Sequence, residues 1–311
     1  MRTSIFVLTL LLISGCSAPQ SNESHQQPVF DIAMQGVNPA WFHRAMEGVD
    51  YGIHRIETYG EMAADSSDLF QKTFDQMDAF NIKRAMLSHG AYKESLLHRQ
   101  PERFLGSFEP DLSLDDHSEA AKIFEQDILN GKYAALGELG LIYEGIPLNT
   151  KALYPYYEVA QKYNIPILIH TGFSGPNPQQ VLSPAFRIKT ADPLLLEDVI
   201  IDFPDLKIVM MHMGWPFFDE ALYMLGTYPN VYMETSVAIW LLNEELFNRL
   251  LRESVETAGS DKILFGTLQM AWPQVIGRSV ETIRNAYYLS PEDKEAILWG
   301  NAVEMFGIDK Q

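Results

Sequence analysis

The sequence is poor in cysteine and in positive charge. Cys16 is the only cysteine among 311 residues, so no disulfide can form within the chain and cysteine usage gives no information about the redox compartment. Lysine and arginine number 23 against 41 aspartate and glutamate residues, which gives a formal net charge of −18. Because nucleic acids and anionic lipid surfaces are polyanions, this charge argues against both as partners.

Long apolar runs are also lacking, and the most apolar stretch lies near the N-terminus. It runs from Ile5 to Ile13 behind Arg2, which is too short to span a bilayer but typical of an export signal. The residues before Cys16 read Ile-Ser-Gly, and with the cysteine they resemble the bacterial lipobox. The resemblance implies a signal peptide over 1–15, lipidation of Cys16 and a lipid anchor in the bacterial cell envelope, on the periplasmic or outer-membrane side. A plain secretory peptide is the alternative.

The remainder of the chain divides into a short tether and one long patterned region. Residues 16–27 are rich in Ser, Gln and Asn and lack hydrophobic periodicity, which predicts a flexible tether. From residue 28 onward, short apolar runs alternate with amphipathic stretches, the pattern of βαβ units. The predicted strands are 29–35, 84–88, 105–109, 134–139, 165–170, 207–212, 231–235 and 263–266.

Helical patterns fill most of the intervals between these strands. The predicted helices are 67–80, 115–130, 150–163, 192–202, 216–227, 244–257 and 274–288, followed by a C-terminal helix from Ser290. Eight strands with intervening helices predict an α/β fold, a single (β/α)8 TIM barrel over 28–311, in which function gathers at the C-terminal ends of the strands. An open, doubly wound sheet is the alternative.

A long loop is predicted between the first strand and the first helix, over residues 36–66. It contains the aromatic residues Trp41, Phe42, Tyr51 and Tyr59. Across the barrel mouth, these rings would either cover a ligand or pack against one another.

Three predicted strands end in side chains that bind metals. Glu138, His170 and His212 each follow an apolar run and precede a small residue or a turn. In a barrel all three would project toward the same mouth, where one carboxylate and two imidazoles can form a three-ligand site for a divalent metal. Taken singly, each histidine is also explained as a hydrogen-bonded rim residue.

The segments around these residues resemble the amidohydrolase superfamily, and within it the amidohydrolase-related branch of metal-dependent hydrolases and non-oxidative decarboxylases. The resemblance runs from residue 28 to the C-terminus. It is carried by the strand-four, strand-five and strand-six motifs, by the segment that leads into strand seven and by the terminal asparagine-alanine helix. In this chain these are 136–140 (LGELG), 165–172 (IPILIHTG), 207–216 (KIVMMHMGWP), 228–232 (YPNVY) and 299–306 (WGNAVEMF).

Two segments depart from the family pattern. The first strand of the family ends in Asp-x-His-x-His, whose histidines bind one metal, but the corresponding residues here are Ala33 and Gln35. The eighth strand of the family ends in Phe-Gly-Ser-Asp, whose aspartate touches the metal and commonly acts as general base; here that position is Leu268. In two-metal members these missing groups surround one ion. The resemblance therefore implies one divalent ion, Zn²⁺ or Mn²⁺, at the three retained ligands, or no metal at all.

The function implied by the resemblance is a membrane-anchored, single-metal hydrolase, or a C–C lyase such as a decarboxylase, acting on a small molecule. The alternative is a catalytically inactive binding or scaffold lipoprotein that retains the barrel. His89 and Glu109 are candidate proton-transfer residues, and each is also explained as an ordinary rim residue. Arg187, Trp215 and Trp272 are candidate substrate-binding residues, and packing in the core or at the surface is the alternative explanation for them. The sequence predicts neither the substrate nor the oligomeric state.

Overall fold

The computed structural model describes residues 27–48, 59–172, 174–175 and 177–308. The predicted signal peptide, Cys16, nearly all of the predicted tether and Tyr51 lie outside the described residues. Within the described part of the chain, no helix combines the length and the apolar character needed to cross a bilayer.

Eight parallel strands form a barrel, which confirms the predicted fold class. Each strand is hydrogen-bonded to the next in chain order. The ring is completed by the backbone N–H of Ile32, which donates to the carbonyl of Phe265 at 2.9 Å. The strands are β1 (Val29–Gln35), β2 (Ile82–His89), β3 (Phe104–Phe108), β4 (Ala135–Leu139), β5 (Ile167–Ile169), β6 (Ile208–Met210), β7 (Val231–Glu234) and β8 (Ile263–Leu264).

Helices and short 3₁₀ turns connect the strands and surround the barrel. Side chains cap two of the longer helices: Asp65 accepts backbone N–H groups at the start of the helix Ser66–Ala79, and Asn243 accepts one at the start of the helix Glu244–Ala258. The helices are α1 (Pro39–Ala45), α2 (Ser66–Ala79), α3 (Lys93–Arg99), α4 (Ser118–Leu129), α5 (Tyr154–Lys162), α6 (Pro178–Val181), α7 (Leu196–Asp202), α8 (Phe218–Thr227), α9 (Ala238–Leu241), α10 (Glu244–Ala258), α11 (Gln274–Asn285), α12 (Pro291–Glu295) and α13 (Asn301–Met305).

The predicted long loop after β1 contains a helix, so its description as loop alone is wrong. Asn38 accepts two backbone N–H groups and Pro39 occupies the first helical turn, a combination that starts α1. Helix α3 also lies where no helix was predicted, because its seven residues are too few to show a clear 3.6-residue pattern.

The C-terminal segment closes the end of the barrel where the strands begin. The ring of Phe30 in β1 lies 6.3 Å from that of Trp299 and 5.5 Å from that of Phe306. The side-chain amide of Asn301 donates to the carbonyls of Ser260 and Ile263, both at 2.7 Å. With this end covered, the carboxyl ends of the strands form the accessible mouth.

Candidate active site

Glu138, His170 and His212 meet at the carboxyl ends of β4, β5 and β6. The Nδ1 atom of His170 lies 2.7 Å from Oε1 of Glu138, and Nε2 of His212 lies 3.2 Å from the same oxygen. The two nitrogens are 3.1 Å apart. The structure thus brings together the three residues predicted as metal ligands, with one donor atom from each within 4.8 Å of the others.

The environment of this triad suits a cation. Burial by itself would raise the pKa of the Glu138 carboxyl, but the hydrogen bond with His170 and the neighbouring His212 outweigh it and hold that pKa well below its usual range. Burial, assisted by His170, lowers the pKa of His212 and favours its neutral form, which is the form that binds metals. Among the described residues, Oε2 of Glu138 is a buried oxygen with no hydrogen-bond partner. An ionised carboxylate with an unpaired oxygen beside imidazole nitrogens therefore fits a divalent ion.

A second layer of hydrogen bonds fixes the orientation of His212. Its Nδ1 atom lies 3.2 Å from the carbonyl oxygen and 2.9 Å from the hydroxyl of Ser236. A carbonyl oxygen can only accept, so Nδ1 carries the hydrogen and Nε2 keeps a lone pair available to an ion that Glu138 would also bind. Such outer partners are what set the tautomer of a metal-binding histidine.

Behind Ser236 lies Glu234, the last residue of β7, which sequence reasoning missed. Its side chain is fully buried, and burial together with the nearby Asp31 raises the pKa of its carboxyl to about 8. The carboxyl accepts from the Ser236 hydroxyl at 2.7 Å and from the His212 backbone N–H at 3.3 Å. The signal was present in the sequence: an acid ends an apolar strand, as Glu138 does in β4.

The positions of the missing family ligands lie beside each other where β1 and β8 meet. Gln35 and Leu268 line the cavity described below, whereas Ala33 is fully buried in the core. The backbone N–H of Leu268 donates to the carbonyl of Ala33 at 2.5 Å. Gln269 exchanges two hydrogen bonds with the backbone of Gln35. The junction of β1 and β8, which we call the closing seam, therefore contains backbone, amide and apolar groups at the positions where the family pattern has metal ligands.

The triad opens into a cavity of about 470 Å³ whose wall is largely apolar and includes several aromatic side chains. The ring of Tyr59 lies 4.7 Å from that of Trp240 and 5.5 Å from that of Trp272, both edge to face. Helix α1 contributes Phe42, whose ring lies 5.1 Å from that of Trp272. Across the cavity, Tyr143 packs edge to face on the His170 ring at 5.3 Å. Of the aromatic residues of the predicted loop, Trp41, Phe42 and Tyr59 thus line the cavity.

The structure separates the remaining candidates by position. Glu109 and Trp272 line the cavity, and Glu109 is exposed there. Arg187 and Trp215 are not among the described cavity-lining residues. The Arg187 guanidinium is exposed and donates to the carbonyls of its own turn, while Trp215 packs against the barrel core. The backbone of His89 ends β2, but its side chain lies outside the described part of the structure.

A model of the amidohydrolase family matches residues 62–308, which is most of the chain. The chain belongs to the amidohydrolase family. This amidohydrolase is also 28% identical over 123 residues to Protein fluG of Emericella nidulans, a match that covers 40% of this chain and 13% of that protein. It therefore spans only a small part of the length of that relative.

Solved structures share the fold of this amidohydrolase. An uncharacterised TIM-barrel protein from Bordetella bronchiseptica superposes with a TM-score of 0.68 at 18% identity, covering 90% of this chain and 98% of that one. A dihydroxybenzoic acid decarboxylase from Polaromonas, solved with manganese and an inhibitor, has a TM-score of 0.61 at 16% identity, covering 92% and 98%. At these identities the likeness establishes the barrel architecture.

Proposed function

We propose that this amidohydrolase is a single-metal hydrolase or decarboxylase of a small, largely apolar molecule. The observation that carries this proposal is the convergence of Glu138, His170 and His212 at the wall of an aromatic cavity. One carboxylate and two imidazoles suit Zn²⁺ or Mn²⁺ and leave coordination positions open. The structurally similar Polaromonas decarboxylase holds manganese, which supports the proposal.

The chemistry follows from the two parts of the site. A bound divalent ion would polarise a carbonyl or carboxyl group, or lower the pKa of a water molecule. Trp240, Trp272 and Tyr143 would pack against an apolar substrate and exclude bulk water from it. Glu109, at the exposed side of the cavity, and His89, at the end of β2, are the proposed groups for proton transfer, a contribution typically worth about 10²–10⁴-fold.

One observation favours a second candidate, a non-catalytic binding protein. Leu268 lines the cavity at the position that resembles the family's general base, and its side chain can neither ligate nor accept a proton. A barrel that retains its cavity without that carboxylate would bind a ligand and release it unchanged. Both candidates would bind a ligand in the cavity. Only the enzyme would convert that ligand into a product, so turnover distinguishes them.

Metal analysis of the purified full-length protein tests the primary proposal. We expect close to one equivalent of a divalent transition metal, lost in His170→Ala and in His212→Ala. His98→Ala, which removes an exposed histidine on α3, is the matched control and should retain the ion. A metal-free wild-type protein whose stability is unaffected by both cavity substitutions would overturn the proposal.

A substrate panel separates the two candidates once metal is found. Aromatic esters, amides and lactones report hydrolysis, and aromatic carboxylic acids report decarboxylation through carbon dioxide release. Turnover that is lost in Glu138→Gln would support catalysis. Saturable binding of the same compounds without turnover, in protein holding its full metal content, would favour the binding protein.

We also propose that the mature protein is anchored in the bacterial cell envelope through a lipid on Cys16. The lipobox-like residues before this cysteine support the proposal. Metabolic labelling with an alkyne fatty acid should mark the wild-type protein and place it in the membrane fraction. Cys16→Ser should remove the label. A wild-type protein that is unlabelled and recovered in the aqueous phase would contradict anchoring.

A further inference from the structure

Glu234 occupies a buried position directly behind the proposed metal centre. Its carboxyl group accepts three donors: the hydroxyl of Ser236 at 2.7 Å, the backbone N–H of Ser236 at 2.5 Å and the backbone N–H of His212 at 3.3 Å. The carboxyl thus joins the residue that follows β6 to the loop that follows β7. Of these residues only His212 lines the cavity, and neither Glu234 nor Ser236 is among the lining residues.

The backbone of His212 needs such support. Its φ of 62° lies in the left-handed region, where a residue with a Cβ atom is sterically strained. Strained conformations of this kind persist only where the surroundings hold them. Here the His212 backbone N–H donates a hydrogen bond to Glu234. The ring nitrogen Nδ1 of His212 is hydrogen-bonded to Ser236, whose hydroxyl in turn donates to Glu234.

We propose that Glu234 is a positioning residue of the metal centre, which holds the His212 backbone and the Ser236 loop so that His212 Nε2 faces Glu138 with its lone pair exposed. This inference rests on the proposed metal site. Glu234 acts only through His212 and Ser236.

The packing around Glu234 indicates that the barrel accommodates this carboxyl group specifically. A Cβ atom added at Gly266 would overlap Oε1 of Glu234, and the same Cβ would lie 2.8 Å from that of Ala33. Two small residues on β1 and after β8 therefore leave the space that Glu234 fills. Ala33, which departs from the family's metal-binding histidine, is thus a packing neighbour of the proposed positioning group.

The tautomer of His212 gives a test that needs neither metal nor substrate. Nitrogen-15 NMR of the metal-free wild-type protein, with His212 assigned by comparison with His212→Gln, should show hydrogen on Nδ1. Hydrogen on Nε2 would overturn the proposed arrangement. Because the wild-type chain is used, this result does not depend on whether a variant folds.

Metal affinity of Glu234→Gln provides the second test. The glutamine keeps the volume, and its amide oxygen can replace the carboxyl oxygen that accepts from the Ser236 hydroxyl and the His212 N–H. Its NH2 group, however, cannot accept the Ser236 backbone N–H, so the Ser236 loop loses one of its bonds to this side chain. We expect divalent-ion affinity to fall by about 10–100-fold, as outer-layer substitutions typically do. Asp31→Asn is the matched control, because Asp31 is an equally buried carboxyl that bonds Ala33 and Thr267 instead of His212. Its affinity should change by less than about threefold.

The outcomes separate this inference from the proposed function. Unchanged affinity in Glu234→Gln, or an equal loss in Asp31→Asn, would show that Glu234 has no specific positioning role. A wild-type protein that binds no divalent ion would refute the proposed function instead, and the tautomer measurement would still decide how His212 is held. Glu234→Asp, which keeps the carboxyl on a shorter side chain, should recover part of the affinity lost in Glu234→Gln.

Discussion

Asp31 of β1 and Thr267, just beyond β8, are joined by two hydrogen bonds across the closing seam of the barrel. The Thr267 hydroxyl donates to Oδ2 of Asp31 at 2.5 Å, and its backbone N–H donates to Oδ1 at 3.0 Å. Strand β8 has only two residues, Ile263–Leu264, so side chains supply part of the pairing between the first and last strands. The seam is therefore held by a carboxyl group that is fully buried.

This burial predicts a pH-dependent stability. Desolvation raises the pKa of Asp31 to about 6 from 3.8, against the opposing effect of its hydrogen bonds. The folded protein thus holds this proton more tightly than the unfolded chain, so the contribution of Asp31 to the free energy of unfolding is greatest below about pH 4 and declines until about pH 6. Asp31→Asn removes the titrating group and with it this pH dependence of the free energy of unfolding. Urea unfolding should show the variant gaining about 2–3 kcal/mol relative to wild type between pH 4 and pH 7. A difference that stays constant with pH would contradict the burial argument.

The sequence predicted the barrel well because strand periodicity and strand-end chemistry are local signals. Glu138, His170 and His212 each end an apolar run, and parallel strands bring such ends together whatever the loops do. Glu234 also ends an apolar strand, but it belongs to none of the motifs that resemble the family. Its role depends on contacts with His212 and Ser236 that only the folded barrel reveals.

The loops were harder to predict because their contacts are long-range. Helix α1 depends on the cap at Asn38, and its seven residues show little periodicity. Arg187 looked like a ligand-binding cation in sequence, but its guanidinium donates to the carbonyls of Pro184 and Phe186. Local backbone acceptors compete for such a side chain, and composition alone does not show which partner it takes.

Gly266→Ala should destabilise the barrel. The added methyl group would overlap the Glu234 carboxyl and crowd Ala33. Overpacking of this kind typically costs about 1–3 kcal/mol. Gly175→Ala is the control, since a Cβ there meets nothing within 4 Å, and its free energy of unfolding should stay within about 0.5 kcal/mol of wild type. Equal urea midpoints for the two variants would show that Glu234 moves away at no cost.

Asn301→Ala should weaken the closed end of the barrel. The substitution leaves the part-buried carbonyls of Ser260 and Ile263 without their shared donor, and a lost hydrogen bond typically costs about 0.5–1.5 kcal/mol. Asn130→Ala, at an exposed helix end, is the control and should change stability little. The midpoints of thermal unfolding of the two variants, monitored by circular dichroism, are compared. If the midpoint of Asn301→Ala is no lower than that of the control, Asn301 does not stabilise the closed end of the barrel.

The combined change Ala33→His, Gln35→His and Leu268→Asp should raise the metal content above one equivalent. Gln35 and Leu268 already line the cavity, so their replacements would face the site at which the family pattern places a further ion. Position 33 is different, because Ala33 is fully buried and an imidazole there would compete with Glu234 for space. We therefore expect the triple variant to gain metal while losing about 1–3 kcal/mol of stability to overpacking. Gln35→His with Leu268→Asp omits the change at Ala33 and places both new side chains on the cavity wall, so it should lose less stability than the triple variant. Elemental analysis of both proteins separates ligand supply from packing. If neither variant gains metal, the correspondence of these positions to the family's ligands is wrong.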